Sequence, residues 1–509
     1  MLGPRPTDVK GVRADLKRLA LRGGAITMSA QAILFLIQMV SVIALARLLA
    51  PEAFGLLAIA TFFTGFLAVF GDLGLGYAVI QRQDLNEEQL TALFWINLGV
   101  SFLLALLTAG LAPLVSWIYG HDDVLLIMLV LALAYPISGA AAQHRALLMR
   151  QMRYGRLKAI EIAAALVALL VGICAAWWGY GYWALVAMTL TGAIVSLVLL
   201  WGFSGWRPGL PRPAKGIGSL LRFGLDITGF NALNYLARNA DNALIGWVWG
   251  PAALGFYTRA YALLMAPLQQ LNRPLSSVAI ATLSRLAGEP DAYANAYRRI
   301  VEKILLITMP LTGLLLATSD LVIEVLLGPR CADAAPIFLW LAVAALYQPL
   351  AQTTGWLFIT QGRTGEMLRW GAISVPITLA SFLVGLPFGA VGVAAAYALG
   401  GLFILVPMLF WYVGRRGPVL GRDLTRLLAC FSVLAAAAAG AAFAARLVWE
   451  SGQPLYDILM SWGAALPVIG LTTMLFAPTR AAAFDTVQLL RELSRPKARP
   501  EAQENDSIP

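Results

Sequence analysis

Three arginines and a series of amides interrupt otherwise apolar stretches of this 509-residue chain. Asn231, Asn234, Arg238, Asp241 and Asn242 follow at steps of three, four, three and one, which keeps them on one helical face. Arg259, Gln270 and Arg273 share a face in the next apolar stretch, and Gln31 and Gln38 mark the first one. A charge at mid-bilayer costs about 2.5–3.5 kcal/mol on insertion scales, so such residues turn to a cavity or a partner. The planar fork of arginine donates two parallel hydrogen bonds, which suits a diphosphate. The expected chemistry is therefore anion recognition without bond making or breaking. Arg238, Arg259, Arg273, Asn231, Asn234, Gln31, Gln38 and Gln270 are the candidate cavity residues, and Asp72 and Asp241 the candidates for ion coupling or gating. Plainer readings stay open. Arg238 and Asp241, three apart, also suit an intrahelical ion pair. Arg259 and Arg273 would snorkel if they lay near water, and Asp72 would cap backbone at a kink.

Other chemistries find no footing. His121 and His144 lack metal-ligand spacing and read as loop or interface residues, so no metal and no cofactor is expected. Gly71-Asp72-Leu73-Gly74-Leu75-Gly76 resembles a phosphate loop but lacks the strand-to-helix setting, and reads as a helix kink. There is no Walker sequence, so the chain is not itself an ATP-driven pump.

The elements that must carry these residues are membrane spans. Hydrophobic residues make up 60% of the chain and charged ones 13%, too apolar for a soluble domain. Of the 37 Lys and Arg residues, 31 fall into every second gap between apolar stretches. Cytoplasmic loops retain Lys and Arg, so this alternation sets both the number and the orientation of the spans. It predicts an all-α integral membrane protein with about 14 transmembrane helices and both termini in the cytoplasm. The expected limits are 24–49, 55–80, 90–116, 124–149, 156–178, 181–203, 223–249, 254–284, 300–327, 334–360, 366–386, 390–413, 425–449 and 455–477. The net charge of +10 reflects these loops rather than a nucleic-acid surface. Cys174, Cys331 and Cys430 are scattered, and no disulfide is expected. The loops of the opposite face are all short and leave no room for a catalytic domain there.

Residues about 200 apart repeat. Leu21-Arg22-x-Gly24 aligns with Leu221-Arg222-x-Gly224, and Pro51-x-Ala53-Phe54-Gly55 with Pro251-x-Ala253-Leu254-Gly255. Six spans separate the copies, so the repeat is parallel, and such repeats place substrate at the lobe interface. The expected organisation is a basic N-terminus (1–22), a first lobe of spans 1–6 (23–203), a cytoplasmic linker (204–222), a second lobe of spans 7–12 (223–413), spans 13 and 14 (414–477) and a flexible cytoplasmic tail (478–509). The repeat sets Gln31 against Asn231 and Gln38 against Arg238.

Several segments carry a family resemblance. Ala46–Gly55 (ARLLAPEAFG), Gly71–Arg82 (GDLGLGYAVIQR), Phe94–Leu98 (FWINL), Ala237–Gly246 (ARNADNALIG) and Leu254–Leu286, with LGFYTRAY and APLQQLNRPLSSVA, resemble bacterial polysaccharide flippases. The subgroup is the Wzx-like lipopolysaccharide or colanic-acid exporter type of the multidrug/oligosaccharidyl-lipid/polysaccharide (MOP) exporter superfamily. The resemblance spans roughly residues 20–480. It implies a V-shaped MOP flippase fold in the bacterial inner membrane. It also implies a transporter, not an enzyme, that flips an undecaprenyl-diphosphate-linked oligosaccharide for O-antigen, exopolysaccharide or capsule synthesis. Partners would be that lipid-linked oligosaccharide, membrane lipids, a polysaccharide polymerase and other assembly proteins. Lipid II flippases of the superfamily carry several arginines in the first lobe's cavity. Here the first span offers Gln31 and Gln38, and the charge sits in spans 7 and 8. The rival readings are a drug/cation antiporter of the same superfamily and a membrane polysaccharide polymerase.

Overall fold

The computed structural model describes residues 9–71, 86–211 and 217–494. Within them every regular element is helical. We number the spanning helices α1 (Val9–Leu48), α2 (Pro51–Ala68), α3 (Glu87–Tyr119), α4 (Asp122–Arg150), α5 (Tyr154–Trp177) and α6 (Trp183–Ser204). The segment Ile217–Arg285 is helical except at Gly250, where φ 77 and ψ 179 break it into α7 (217–249) and α8 (251–285). There follow α9 (Pro290–Ala317), α10 (Ala334–Thr360), α11 (Thr364–Gly385), α12 (389–414), α13 (Gly421–Val448) and α14 (Pro454–Leu475).

Eleven described segments are long and apolar enough to cross a membrane. Thr364–Gly414 among them turns back at Gly389 (φ 78) and counts twice, and Ile217–Arg285 supplies two more, giving the expected fourteen. Their surfaces agree with this. Trp117, Phe388, Leu106 and Val384 are each at least 70% exposed, an apolar exterior that water would not tolerate on a monomer.

Local chemistry sets the ends. Proline begins α2 and α8, where a missing N–H costs nothing. Asn86 and Gln89 form a reciprocal cap on α3, with bonds of 2.8 and 3.2 Å. Gly120 closes α3 at φ 70, a left-handed position that glycine adopts without strain. Arg446 of α13 clamps Asp320 with two parallel bonds of 2.9 and 2.6 Å, fixing the last hairpin to the short helix Ser319–Leu327.

Two expectations need adjustment and one is narrowed. Span 9 stops at Ala317 rather than 327, because the chain turns at Thr318 into that separate helix. The polar segment after α14 is not featureless. Ala477–Ser494 forms a helix, α15, whose Ala482 is buried in the second-lobe core and whose Asp485 meets Arg299 at 3.4 Å. Of the two readings for His144, the interface one holds: its ring is fully buried among Trp201 and Trp206, with Nδ1 2.8 Å from Ser204 Oγ.

The cores join the two lobes at one end. At the end bearing the α1–α2 and α7–α8 turns, one core joins both lobes, with Leu56, Ile59 and Ile127 packed among Ile245, Leu254 and Tyr257. Toward the other end, which carries most of the basic residues, the described cores separate. Leu148, Leu157 and Leu200 form one. Leu283, Tyr297, Phe358 and Phe431 belong to the other.

Candidate functional site

The closed end is built on the repeated Pro-x-Ala-x-Gly motif. Gly55 of α2 lies directly against the Pro251 carbonyl, and Gly255 of α8 against the Pro51 carbonyl. A Cβ at either glycine would fall on the opposite backbone. The two helix starts thus cross as images of one another, which is the pseudo-twofold relation the 200-residue offset predicts. Phe54 extends the seam: the Arg259 guanidinium lies 4.1 Å from its ring centroid, a cation–π contact. The Arg259 Nε is buried and has no hydrogen-bond partner. Two tyrosines tie the lobes further along. Tyr119 donates to the Ala243 carbonyl and Tyr235 to the Thr61 carbonyl, each at 3.1 Å.

Past Tyr235 the candidate polar face is open. Asn231, Asn234 and Arg238 are exposed, and Arg238 lies near Tyr261 of α8. Asp241 is buried. It accepts from the Tyr257 hydroxyl and from the Asn242 N–H, each at 2.8 Å, and does not pair with Arg238. The intrahelical ion pair is therefore not the arrangement adopted. On α1, Gln31 is half-buried and Gln38 exposed. Gln270 and Arg273 lie in α8, but their side chains fall outside the described residues, as does all of Asp72.

A cavity of about 810 Å³ opens within the first lobe between α2, α3, α4, α5 and α6. Its lining runs from Thr61, Thr64 and Tyr135 to Gly71 and Met149, near the basic end. Arg145 projects into it and donates to Ser196 Oγ at 3.4 Å. Glu161 also lines it, with one oxygen held by Lys158 at 2.7 Å. The expected span 124–149 carries Arg145 near its end, with no site role read from the sequence. The structure puts it on the cavity wall, because Ser138, Ala142, Arg145 and Met149, at steps of four, three and four, share the inner face of α4. That spacing was the available signal.

Residues 44–336, more than half of the chain, match the polysaccharide biosynthesis protein family. The chain belongs to that family. Its relatives include the lipopolysaccharide biosynthesis protein WzxC of Escherichia coli (strain K12), 23% identical over 415 residues, which span 80% of this chain and 83% of that one. In fold the chain resembles the lipid II flippase MurJ in an inward closed conformation, with a TM-score of 0.72, 12% identity, and 92% of this chain and 100% of that one covered. It also resembles an inward-facing multidrug resistance MATE transporter of the MOP superfamily, with a TM-score of 0.60, 14% identity, and 79% and 99% covered. The protein is thus a multi-pass membrane protein with the MOP fold. The family match takes in both Pro-x-Ala-x-Gly motifs, the face of α7 and the first-lobe cavity.

Proposed function

We propose that this protein carries lipid-linked oligosaccharide repeat units across the inner membrane for polysaccharide synthesis, by alternating access. The observation behind this reading is that, among the described residues, one core joins both lobes at the closed end while the cores toward the other end are separate. The open end bears the basic loops, which assigns it and both termini to the cytoplasm. A glycan entering there would cross between the lobes while its polyprenyl tail stayed in lipid. Arg238, with Asn231, Asn234, Gln31 and Gln38, is our choice for the anionic part of the substrate, joined by Arg273 and Gln270. Arg259, stacked at the closed end, would be exposed only when that seam parts. Asp241, held by Tyr257 beside the seam, is our choice for ion coupling or gating, with Asp72 the second such carboxylate. An undecaprenyl-diphosphate-linked oligosaccharide suits this set, and a polymerase would take the product on the far side.

A drug/cation antiporter calls for a cavity of net acidic or aromatic character, and the balance of Arg238, Arg259 and Arg273 against Asp241 disfavours that reading. The test is deletion of the gene, followed by mass spectrometry of lipid-linked oligosaccharides in the inner membrane. Accumulation of a complete repeat unit with loss of polymer is expected. Normal polymer without accumulation would refute the proposal.

A further inference from the structure

We propose that the outward face of α11 and α12 is a binding site for an anionic phospholipid, with the phosphate on Arg369 and Arg415 and the end of one chain in the groove between the two helices. The site needs only a protein that spans the bilayer with its basic end among the head groups, and it is the same whichever cargo is carried.

Two exposed stripes run to the arginines. On α11, Arg369, Ile373, Pro376, Ala380 and Val384 follow at steps of four, three, four and four, and all five are exposed. On α12, Ile404, Met408, Trp411 and Arg415 follow at steps of four, three and four, again all exposed. Phe382, Val393, Ala394 and Ala398 take the opposite faces and are buried in the cores. Between the stripes lies a groove of about 730 Å³, walled by Ile377, Val384, Leu399 and Ile404. A Cβ at Gly385 would fall on the Gly392 carbonyl, so the two backbones touch at the hairpin end of the groove. Ser381 is the one polar side chain among the described lining residues, and its hydroxyl already donates to the Ile377 carbonyl at 3.0 Å. Such a groove offers a ligand dispersion contacts rather than hydrogen bonds, which suits a hydrocarbon chain.

The basic end of the same helix pair suits a phosphate. Arg363 donates to the Val413 and Arg416 carbonyls and to Glu366 at 2.7 Å, which fastens the end of α12 to the start of α11. Arg416 also reaches Glu366, at 3.4 Å, so that carboxylate is taken. The Arg415 guanidinium lies 4.4 and 4.6 Å from the ring centroids of Trp411 and Tyr412. Trp370, next to Arg369, lies 5.7 Å from Tyr412. Stacking uses the face of a guanidinium and leaves its N–H edges for a phosphate. Among the described residues neither Arg369 nor Arg415 forms an ion pair. Tryptophans such as Trp370 and Trp411 settle at head-group level, where basic pockets between helices hold anionic lipids. Arg369 lies eight residues from Ile377, and Arg415 eleven from Ile404, about 12 and 16 Å along their helices. One leaflet holds about 15 Å of hydrocarbon, so the end of a long chain hung from the arginines enters the groove. A free phosphate would use the arginines alone; the groove that continues from them commits the site to a lipid.

The full-length protein in detergent is titrated with dioleoyl phosphatidylglycerol, dioleoyl phosphatidylcholine, dilauroyl phosphatidylglycerol and undecaprenyl phosphate, and bound lipid is counted by native mass spectrometry. The parent should prefer dioleoyl phosphatidylglycerol. The double variant Arg369→Gln, Arg415→Gln should lose about tenfold or more of that affinity and bind phosphatidylcholine as before. Arg422→Gln removes an exposed charge of α13 and should change nothing. Ala380→Phe fills the groove from an exposed position, and should weaken the dioleoyl lipid severalfold and the shorter dilauroyl lipid little. Inorganic phosphate at millimolar concentration should not displace the lipid. Equal affinity of the parent for the two dioleoyl lipids, or full binding by the double arginine variant, overturns the site. An equal loss in Arg422→Gln reduces it to unspecific charge, and full binding of the dioleoyl lipid by Ala380→Phe removes the chain from the groove; either result refutes the proposal. Displacement by undecaprenyl phosphate at equal concentration also overturns it, since the arginines would then serve the cargo. The gene-deletion experiment reads none of these outcomes, so this site and the flippase reading stand or fall separately.

Discussion

Replacing Gly55 by alanine should hold the protein away from its present state. The added Cβ would land on the Pro251 carbonyl, a backbone atom that cannot swing aside as a side chain can. The crossing must widen by roughly an ångström or more before ordinary van der Waals contact is restored. Overpacking of this kind costs about 1–3 kcal/mol. The cost falls on the closed seam and is relieved when the lobes part there, so it becomes a shift between conformations of about 5- to 150-fold. Gly255→Ala meets the Pro51 carbonyl in the same way and should act in the same direction. The two changes touch one crossing, so their effects should not add. Gly99→Ala is the control, since nothing lies within 4 Å of a Cβ there.

A native reporter is at hand. Cys331 is 1% exposed and belongs to the core shared by both lobes. With Cys174 and Cys430 replaced by serine, its labelling by a membrane-impermeant maleimide reads the opening of the seam. Labelling should be slow in the parent protein and Gly99→Ala, and several-fold faster in Gly55→Ala and Gly255→Ala at equal protein levels. Polymer export should fall in both, because the cycle must pass through the closed seam. Unchanged labelling and unchanged export in both glycine variants would refute the crossing as a gate.

Further tests bear on other residues. Arg238→Ala should reduce polymer export severalfold with the protein still present in the membrane, as read by polymer yield against immunoblot; normal export would remove Arg238 from the substrate path. Tyr257→Phe deletes one bond to the buried Asp241 carboxylate and should cost about 1–3 kcal/mol of thermal stability, with export impaired; an unaltered melting temperature would show that the bond contributes nothing. At Asp320, burial pushes the carboxyl pKa up, but the bonds to Arg446 and its charge outweigh this and hold it below the usual 3.8. A depressed folded pKa stabilises above the unfolded value and is lost as pH falls through the folded one. Arg446→Gln should therefore lower the melting temperature at pH 7 by a few degrees at most, given the pair's exposure. The gap to the parent should narrow below about pH 4, and a pH-independent gap would contradict this.

The span pattern was legible because a bilayer imposes it on composition: about 20 apolar residues per crossing, with basic residues at alternate turns. The crossing at the closed end was legible for a different reason. Pro51 and Gly55 recur at Pro251 and Gly255, and a parallel repeat brings equivalent segments to its axis, where they meet each other. The sequence could place those residues but not show that each glycine makes room for the other copy's carbonyl. The helix of Ala477–Ser494 was missed because polarity was read as lack of structure, although Ala482 and Asp485, three apart, both turn to the second lobe.

Arg145 shows where such reading stops. Its neighbours Arg150, Arg153, Arg156 and Lys158 lie in or near the turn between α4 and α5, and as a member of that group it served only to orient the chain. The same charge has a second meaning set by direction. One turn inward from the helix end, it reaches Ser196 of the neighbouring α6. Asp241 makes the same point in reverse: three residues from an arginine, it invites an ion pair, yet Tyr257 sixteen residues later across the Gly250 turn holds it instead. Spacing within a helix determines which side chains share a face, but only the packing of helices determines what that face meets. Residues proposed for transport are therefore best sought among those whose neighbours lie on another helix, as Arg238 of α7 lies near Tyr261 of α8.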